Sequence, residues 1–493
     1  MKIVNLINFV RACEPRDPSR DLLGAARWTL NACREAELPV TELLQYDALL
    51  DKRYVSMIAE RDGMEEAGLW LEIVKPLTDA CGVPWHGREG FAWDWHADPA
   101  FLIAYTEEQK KRLIDESMAL FRKRFGHAAR VVGAWLLDSA SMAYLADAYH
   151  VQAFCVCREQ WGTDGYTLWG GYYGGGYYPS RSNMFMPATT PGMQIGAPVF
   201  RMLSADPIHC YEEKADGRSE LCTLEPGYGC GQSERWVDWY FRTLQAPCDL
   251  GFTYAQTGQE NSFPLDWVQK GLPMQLQRLR ALRDEGRLVM LTLGETGRRF
   301  RERFARTPAT AICALDDWSD EGKQALWYSA PTYRAGLYCD GERVWLRDWQ
   351  LFDERLRDPY LTNPCRQTWA RYEALPLFDL MRYGKGLCFG KGELHGATGD
   401  GEALTATIVG EQGALTATFA PDAITVTGDA FALTLGDKPT DERAFASGGF
   451  TVLRDGARYG LRLEAGAMSG GVLRPANGVL RMKGVVQLDG RSD

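Results

Sequence analysis

The chain is 493 residues long, and chains beyond about 250–300 residues split into domains, so one core is excluded. A formal net charge of −10 with no basic run excludes nucleic acid or an anionic membrane surface as the main partner. Thirteen cysteines, odd in number and irregularly spaced, exclude a regular disulfide framework or a CxxC-type zinc site, and predict free thiols in a cytoplasmic protein.

The N-terminal run KIVNLINFV (2–10) reads as a first β-strand rather than a signal peptide. Further strands are predicted at VTELLQY (40–46), GLWLEIV (68–74), RVVGAWLLD (130–138), VQAFCVC (151–157), PVFRML (198–203), LGFTYAQ (250–256) and RLVMLTLG (287–294). Helical patterns lie between the early strands, such as EEQKKRLIDESMALFRKRFG, which buries Leu113, Ile114, Met118 and Phe121 on one face. This alternation predicts an α/β fold, an irregular barrel of seven or eight β/α units over residues 1–308. No GxGxxG follows the first strand to favour an open doubly wound sheet. Two insertions, 81–99 and 160–195, leave the carboxyl ends of strands, where such barrels build active sites. From residue 309 to 493, short alternating runs with Asp-Gly turns predict a β-sandwich-like domain, with a helical interruption at about 352–388.

Four carboxylates stand out by position. Glu14 follows the first strand, Glu72 lies within apolar GLWLEIV, Asp138 ends the fourth strand, and Glu260 follows the seventh in GQENSF. A buried acid costs several kcal/mol unless it is paired or used, so at least two of the four are expected to work. Arg11, Gln256 and Gln259 are donors close to them in the chain. The insertions crowd aromatic rings among glycines: Trp93 beside Asp94 and His96, then Asp164, Trp169, Tyr172 and Tyr173. Flat apolar rings beside polar groups suit a sugar, and Asp206 and His209 in SADPIHCY add further polar groups. Asp94, His96 and Asp98 at alternate positions could hold a divalent ion, but hydrogen bonding to sugar hydroxyls is the simpler expectation, so no metal and no cofactor are assigned.

The blocks LQYDALLD (44–51), WDWHAD (93–98), GTDGYTLWGGYY (162–173), FRMLSADPI (200–208) and GQENSF (258–263) resemble those of a bacterial group in the superfamily of glycoside hydrolase families 38 and 57 and the polysaccharide deacetylases. That resemblance covers residues 1–300 and implies an irregular (β/α)7 barrel and a glycosidase. The positions matching the family 57 pattern are Asp138, as nucleophile, and Glu260, as acid/base. The departures are Asp rather than Glu at the fourth strand and Asn8-Phe9-Val10 where family 38 carries His-x-Asp. The Asp-Asp and His-xxx-His of the deacetylases are also missing. The expectation is therefore a retaining two-carboxylate glycoside hydrolase acting on a carbohydrate, with Glu72 in reserve. Arg11, Glu14, Glu72, Trp93, Asp94, His96, Asp164, Trp169, Tyr172, Tyr173, Asp206, His209 and Gln259 are expected to bind substrate. The alternatives left open are a non-catalytic carbohydrate-binding protein and a carbohydrate deacetylase, and homo-oligomerisation is undecided.

Overall fold

The computed structural model describes residues 1–487 apart from 62, 164, 203, 212–221, 247, 249, 381–385, 437–442 and 455. The first half is mixed α/β around a parallel sheet. Its strands are β1 (Lys2–Val10), β2 (Val40–Leu44), β3 (Glu65–Trp70), β4 (Val131–Gly133), β5 (Ala153–Cys157), β6 (Val199–Met202), β7 (Thr253–Thr257) and β8 (Val289–Leu291). The order is β7-β1-β2-β3-β4-β5-β6, with β8 on β1. A bond from Ser204 N–H to the Gln256 carbonyl, 3.4 Å, links the ends of β6 and β7 and nearly closes the sheet into a barrel. These strands are buried on both faces, which is why they read as continuous apolar runs rather than alternating ones. Helix α1 (Leu22–Glu35) and helix α2 (Glu107–Phe125) pack outside. Thr106 and Gln109 form a capping box at the start of α2, and Leu113, Ile114, Met118 and Phe121 are buried as expected.

Register places the contents of the barrel in two layers. Phe9 lies opposite Leu43, Leu43 opposite Gly68, and Trp70 opposite Gly133, so these residues share the inward face. The rings of Phe9 and Trp70 (centroids 4.4 Å apart) and of Trp70 and Trp135 (5.4 Å) form an aromatic plug. A Cβ on either Gly68 or Gly133 would come within 2.5 Å of the Leu43 side chain, so both glycines make room for it. Two residues further along the same strands, the same alternation brings Arg11, Gln45 and Glu72 inward, a polar layer above an apolar floor.

Residues from 310 onward build a 16-stranded sheet whose described strand pairs are antiparallel, beginning with β9 (Thr310–Ala314), β10 (Gln324–Ser329), β11 (Tyr333–Cys339) and β12 (Arg343–Leu351). Alternate residues such as Leu404, Ala406 and Ile408 join Tyr328, Leu337 and Trp349 in one core. The helix expected at about 352–388 is absent among the described residues. Turns lead instead into strands Ala370–Glu373 and Leu375–Asp379. Pro359, Pro364 and Pro376 remove amide donors at short intervals, and Ala370–Glu373 pairs in parallel with Tyr166–Trp169 of the 160–195 insertion. No described helix is long and apolar enough to cross a membrane.

The expectation of thirteen free thiols is also corrected. Cys222 pairs with Cys230, and Cys248 with Cys313, because the fold brings together segments that the sequence separates by 8 and 65 residues. Alkylation without reduction should therefore label the nine remaining cysteines, and thirteen after reduction. Labelling of all thirteen without reductant would show that these pairs do not form.

Glu42 on β2 is wholly buried and accepts one bond from Asn8 Nδ2, 2.7 Å. Burial outweighs that bond and pushes its carboxyl from 4.5 up to about 8. The native state therefore keeps a proton that the unfolded chain releases. The resulting stabilisation is fully present below about 4.5 and is lost as pH rises through about 8. Glu42→Gln keeps the acceptor for Asn8 without a charge to bury. Urea midpoints should favour this variant over the native chain progressively between about pH 4.5 and about pH 8. A difference that stays constant across that interval would remove Glu42 as the cause.

Candidate active site

Glu260 is positioned by a close backbone approach. Just beyond β7, Gly258 adopts φ +136°, and a Cβ there would lie 1.7 Å from the Ile7 carbonyl oxygen, so only glycine fits. The chain then runs beside β1: the Phe9 amide donates to the Gln259 carbonyl at 3.2 Å, and the Asn261 amide to the Phe9 carbonyl at 3.1 Å. Asn261 clamps the backbone of Arg11, accepting from its N–H at 2.9 Å and donating to its carbonyl at 2.8 Å.

Arg11 thereby sits between two acids. Its Nη2 contacts Glu72 Oε2 at 3.3 Å, its Nη1 contacts Glu260 Oε2 at 2.9 Å, and Nη1 also donates to Ser262 Oγ at 3.3 Å. Gln45 Nε2 donates to the same Glu72 oxygen at 3.1 Å. Arg11 and Glu72 are each 1% exposed, whereas the Glu260 side chain retains 10%, so Glu260 stands on the solvent side. Two carboxylates held at 3.3 and 2.9 Å by one guanidinium lie closer than about 9.5 Å, the upper limit for paired carboxylates in glycosidases.

The 81–99 insertion covers this layer. Trp93 packs its ring 4.1 Å from the Arg11 guanidinium carbon, and Arg16 stacks 5.1 Å from both Trp93 and Trp95. Arg16 also chelates Glu14 at 2.8 and 2.7 Å. Burial pushes the Glu14 carboxyl up, but the bonds from Arg16 outweigh it and hold the group below its usual range. Asp94 is likewise held low: bonds from Arg88, at 2.8 and 2.9 Å, outweigh burial, and His96 Nδ1 lies 2.8 Å away. With Arg88 as its cation, Asp94 has its charge matched by the protein. Gln259 faces the next loop, donating to Glu225 at 3.1 Å and accepting from the Gly227 amide at 2.6 Å.

Asp138, the expected nucleophile, is held by a different set of partners. It caps helix α3 (Ser139–Tyr149), accepting from the Ser141 amide at 3.0 Å and the Ser141 hydroxyl at 2.7 Å, and it pairs with Lys110 of α2 at 3.1 Å. Its side chain is fully buried and its oxygens are committed. Asp358 of the C-terminal half lies beside it, bonded to the Ser139 amide at 3.2 Å; burial, then the charge of Asp138, pushes the Asp358 carboxyl up to about 6. A strand-end aspartate followed by a helix is an N-cap by local chemistry, and that requirement accounts for Asp138.

The aromatic residues of 160–195 meet the C-terminal half of the chain. Trp169 donates to Asp379 at 2.8 Å, Tyr172 to the Pro308 carbonyl at 2.5 Å, and Tyr173 stacks on Trp327 with centroids 4.1 Å apart. All three are buried where the insertion meets the C-terminal strands. Asp206 and His209 form a separate group after β6, bonded to each other at 3.1 Å. Asp164 lies outside the described residues. Sequence reasoning overlooked Gln45, Arg16, Glu225, Asn261 and Ser262. Gln45 carried the strand-end signal that identified Glu72, and Asn261 and Ser262 lie inside GQENSF.

No family model matches the sequence, and no curated protein does. Among solved structures, the chain is similar to a candidate glycoside hydrolase/deacetylase from Parabacteroides distasonis, with TM-score 0.52 and 15% identity over 72% of this chain and 86% of that one. A candidate polysaccharide deacetylase from Mycobacterium smegmatis gives TM-score 0.36 and 11% identity over 61% and 90%. A 4-alpha-glucanotransferase from Thermococcus litoralis gives 0.32 and 9% over 99% and 98%. The first of these likenesses is one of fold.

Proposed function

We propose that the chain is a glycoside hydrolase whose working carboxylates are Glu72 and Glu260. The observation that carries this reading is the Glu72–Arg11–Glu260 arrangement at the carboxyl ends of β3, β1 and β7, above an aromatic floor and beneath Trp93. Glu260, on the solvent side, serves as acid/base: it protonates the departing oxygen and then deprotonates the incoming water. Glu72, with Gln45 and Arg11 converging on one oxygen, serves as nucleophile to the anomeric carbon, giving overall retention. The description of the Parabacteroides protein as a glycoside hydrolase/deacetylase is consistent with a carbohydrate substrate.

The test is a panel of 4-nitrophenyl α- and β-glycosides run beside a set of acetylated sugars. Aglycone release, abolished in Glu72→Gln and slowed in Glu260→Gln, is the expected result. Acetate release without aglycone would replace glycosidase with deacetylase. Protection against unfolding by sugar without any release would make the chain a binder.

A further inference from the structure

We propose a divalent-metal site, of the kind that takes zinc, formed by His209, Asp317 and Glu321 and separate from the carboxylate pair. His209 follows β6 of the barrel; Asp317 and Glu321 lie in the loop joining β9 and β10 of the C-terminal sheet. One ligand atom from each of the three falls within 4.8 Å of the other two.

The imidazole is prepared for a ligand on one nitrogen. Asp206, fully buried, accepts from the Ile208 and His209 amides at 2.8 and 3.0 Å and from the Trp236 and Trp318 indoles at 2.9 and 2.8 Å. A carboxylate fixed by four donors is a stationary acceptor for His209 Nδ1, 3.1 Å away. The Trp318 indole lies closer to Asp206 than to Nδ1, at 2.8 against 3.2 Å, so the Nδ1 proton goes to Asp206 and Nε2 carries the lone pair. A histidine oriented through its other nitrogen by a buried carboxylate is the outer-shell arrangement found behind metal-bound imidazoles. The His209 side chain is 7% exposed, so its position is set by packing rather than by solvent.

The Ser319 hydroxyl lies 3.4 Å from Nε2, a contact that an entering ion would replace, and Nε2 faces Asp317 Oδ1 at 3.6 Å. That is too long for a hydrogen bond, yet two ligands each about 2 Å from one tetrahedral ion lie roughly 3.3 Å apart. Ser319 holds the Asp317 carboxylate in place, donating from its amide at 2.9 Å and its hydroxyl at 2.8 Å. Glu321, paired with the Lys323 ammonium, completes a set of one nitrogen and two carboxylate oxygens, and an entering dication would displace that ammonium from it. Because the ligands come from both halves of the chain, the ion would fasten the 315–323 loop to the barrel.

The full chain, stripped with chelator and dialysed, is titrated calorimetrically with zinc chloride. One ion per chain is expected. Glu321→Gln, at an exposed position where folding is not at stake, and His209→Ala should each weaken binding at least tenfold, while His96→Ala leaves it unchanged. Cobalt should give a tetrahedral visible spectrum that His209→Ala abolishes. The proposal is overturned if the native chain takes up no zinc, if Glu321→Gln and His209→Ala bind it as the native chain does, or if His96→Ala removes it.

Discussion

Glu260→Gln should lower kcat on an unactivated glycoside by about 10²- to 10⁴-fold, the usual worth of a general acid, and Glu72→Gln by at least as much. The two losses should differ in kind. A 4-nitrophenyl leaving group needs little protonation, so Glu260→Ala should recover on such a substrate when azide is supplied and should yield a glycosyl azide of the substrate's own anomeric configuration. Glu72→Ala with azide should give the opposite anomer, because azide then attacks the face that Glu72 had occupied. Proton NMR of the first product formed distinguishes the two. Removing Glu72 also leaves Arg11 with one acid fewer in a buried layer, so urea unfolding must accompany each assay. If both Gln variants keep more than a tenth of native kcat while Asp138→Asn loses it, the sequence-based assignment of Asp138 returns and the geometric one fails.

The sequence carried the fold further than it carried the site, for identifiable reasons. Strands buried on both faces show as apolar runs, so the barrel strands were legible, and the capped, amphipathic α2 was legible residue by residue. Strand-end position also drew attention to Glu72 and Glu260, which Arg11 brings together, since the period of two that turns Phe9 inward turns Arg11 inward too. It did not separate them from Asp138, because an acid after a strand can face a substrate or cap the next helix. Here Ser141 and Lys110, 28 residues earlier, hold Asp138 as a cap. The surroundings of the rings of 160–195 were not legible for a related reason. Glycines among aromatics signal a loop, but whether a ring meets solvent or another layer depends on partners such as Trp327 and Asp379, far along the chain.

That contact between the halves gives the second large effect, since Arg334→Ala should destabilise the chain by about 3–5 kcal/mol. Arg334 on β11 is fully buried. It reaches Asp348 at 3.0 and 3.1 Å, the Tyr211 hydroxyl at 3.1 Å and the Gly171 carbonyl at 3.2 Å, and it pairs with Glu159 at the end of β5. Burial alone would lower its pKa, but the charges of Asp348 and Glu159 outweigh it, and the guanidinium is held charged. Taking it away strands Asp348 without a matching cation, while Glu159 keeps Arg201 at 3.1 Å. The double variant Arg334→Met, Asp348→Leu leaves the Glu159–Arg201 pair balanced and should recover most of the loss, because an apolar replacement of a whole buried pair is close to neutral. Urea unfolding of the two single variants and the double variant completes the cycle. By the same reasoning a chain ending at residue 308 lacks Arg334, Trp327 and Asp379, uncovers Trp169 and Tyr173, and should not unfold cooperatively. An Arg334→Ala variant within about 1 kcal/mol of the native chain would mean that water or a shifted Arg201 replaces the lost charge.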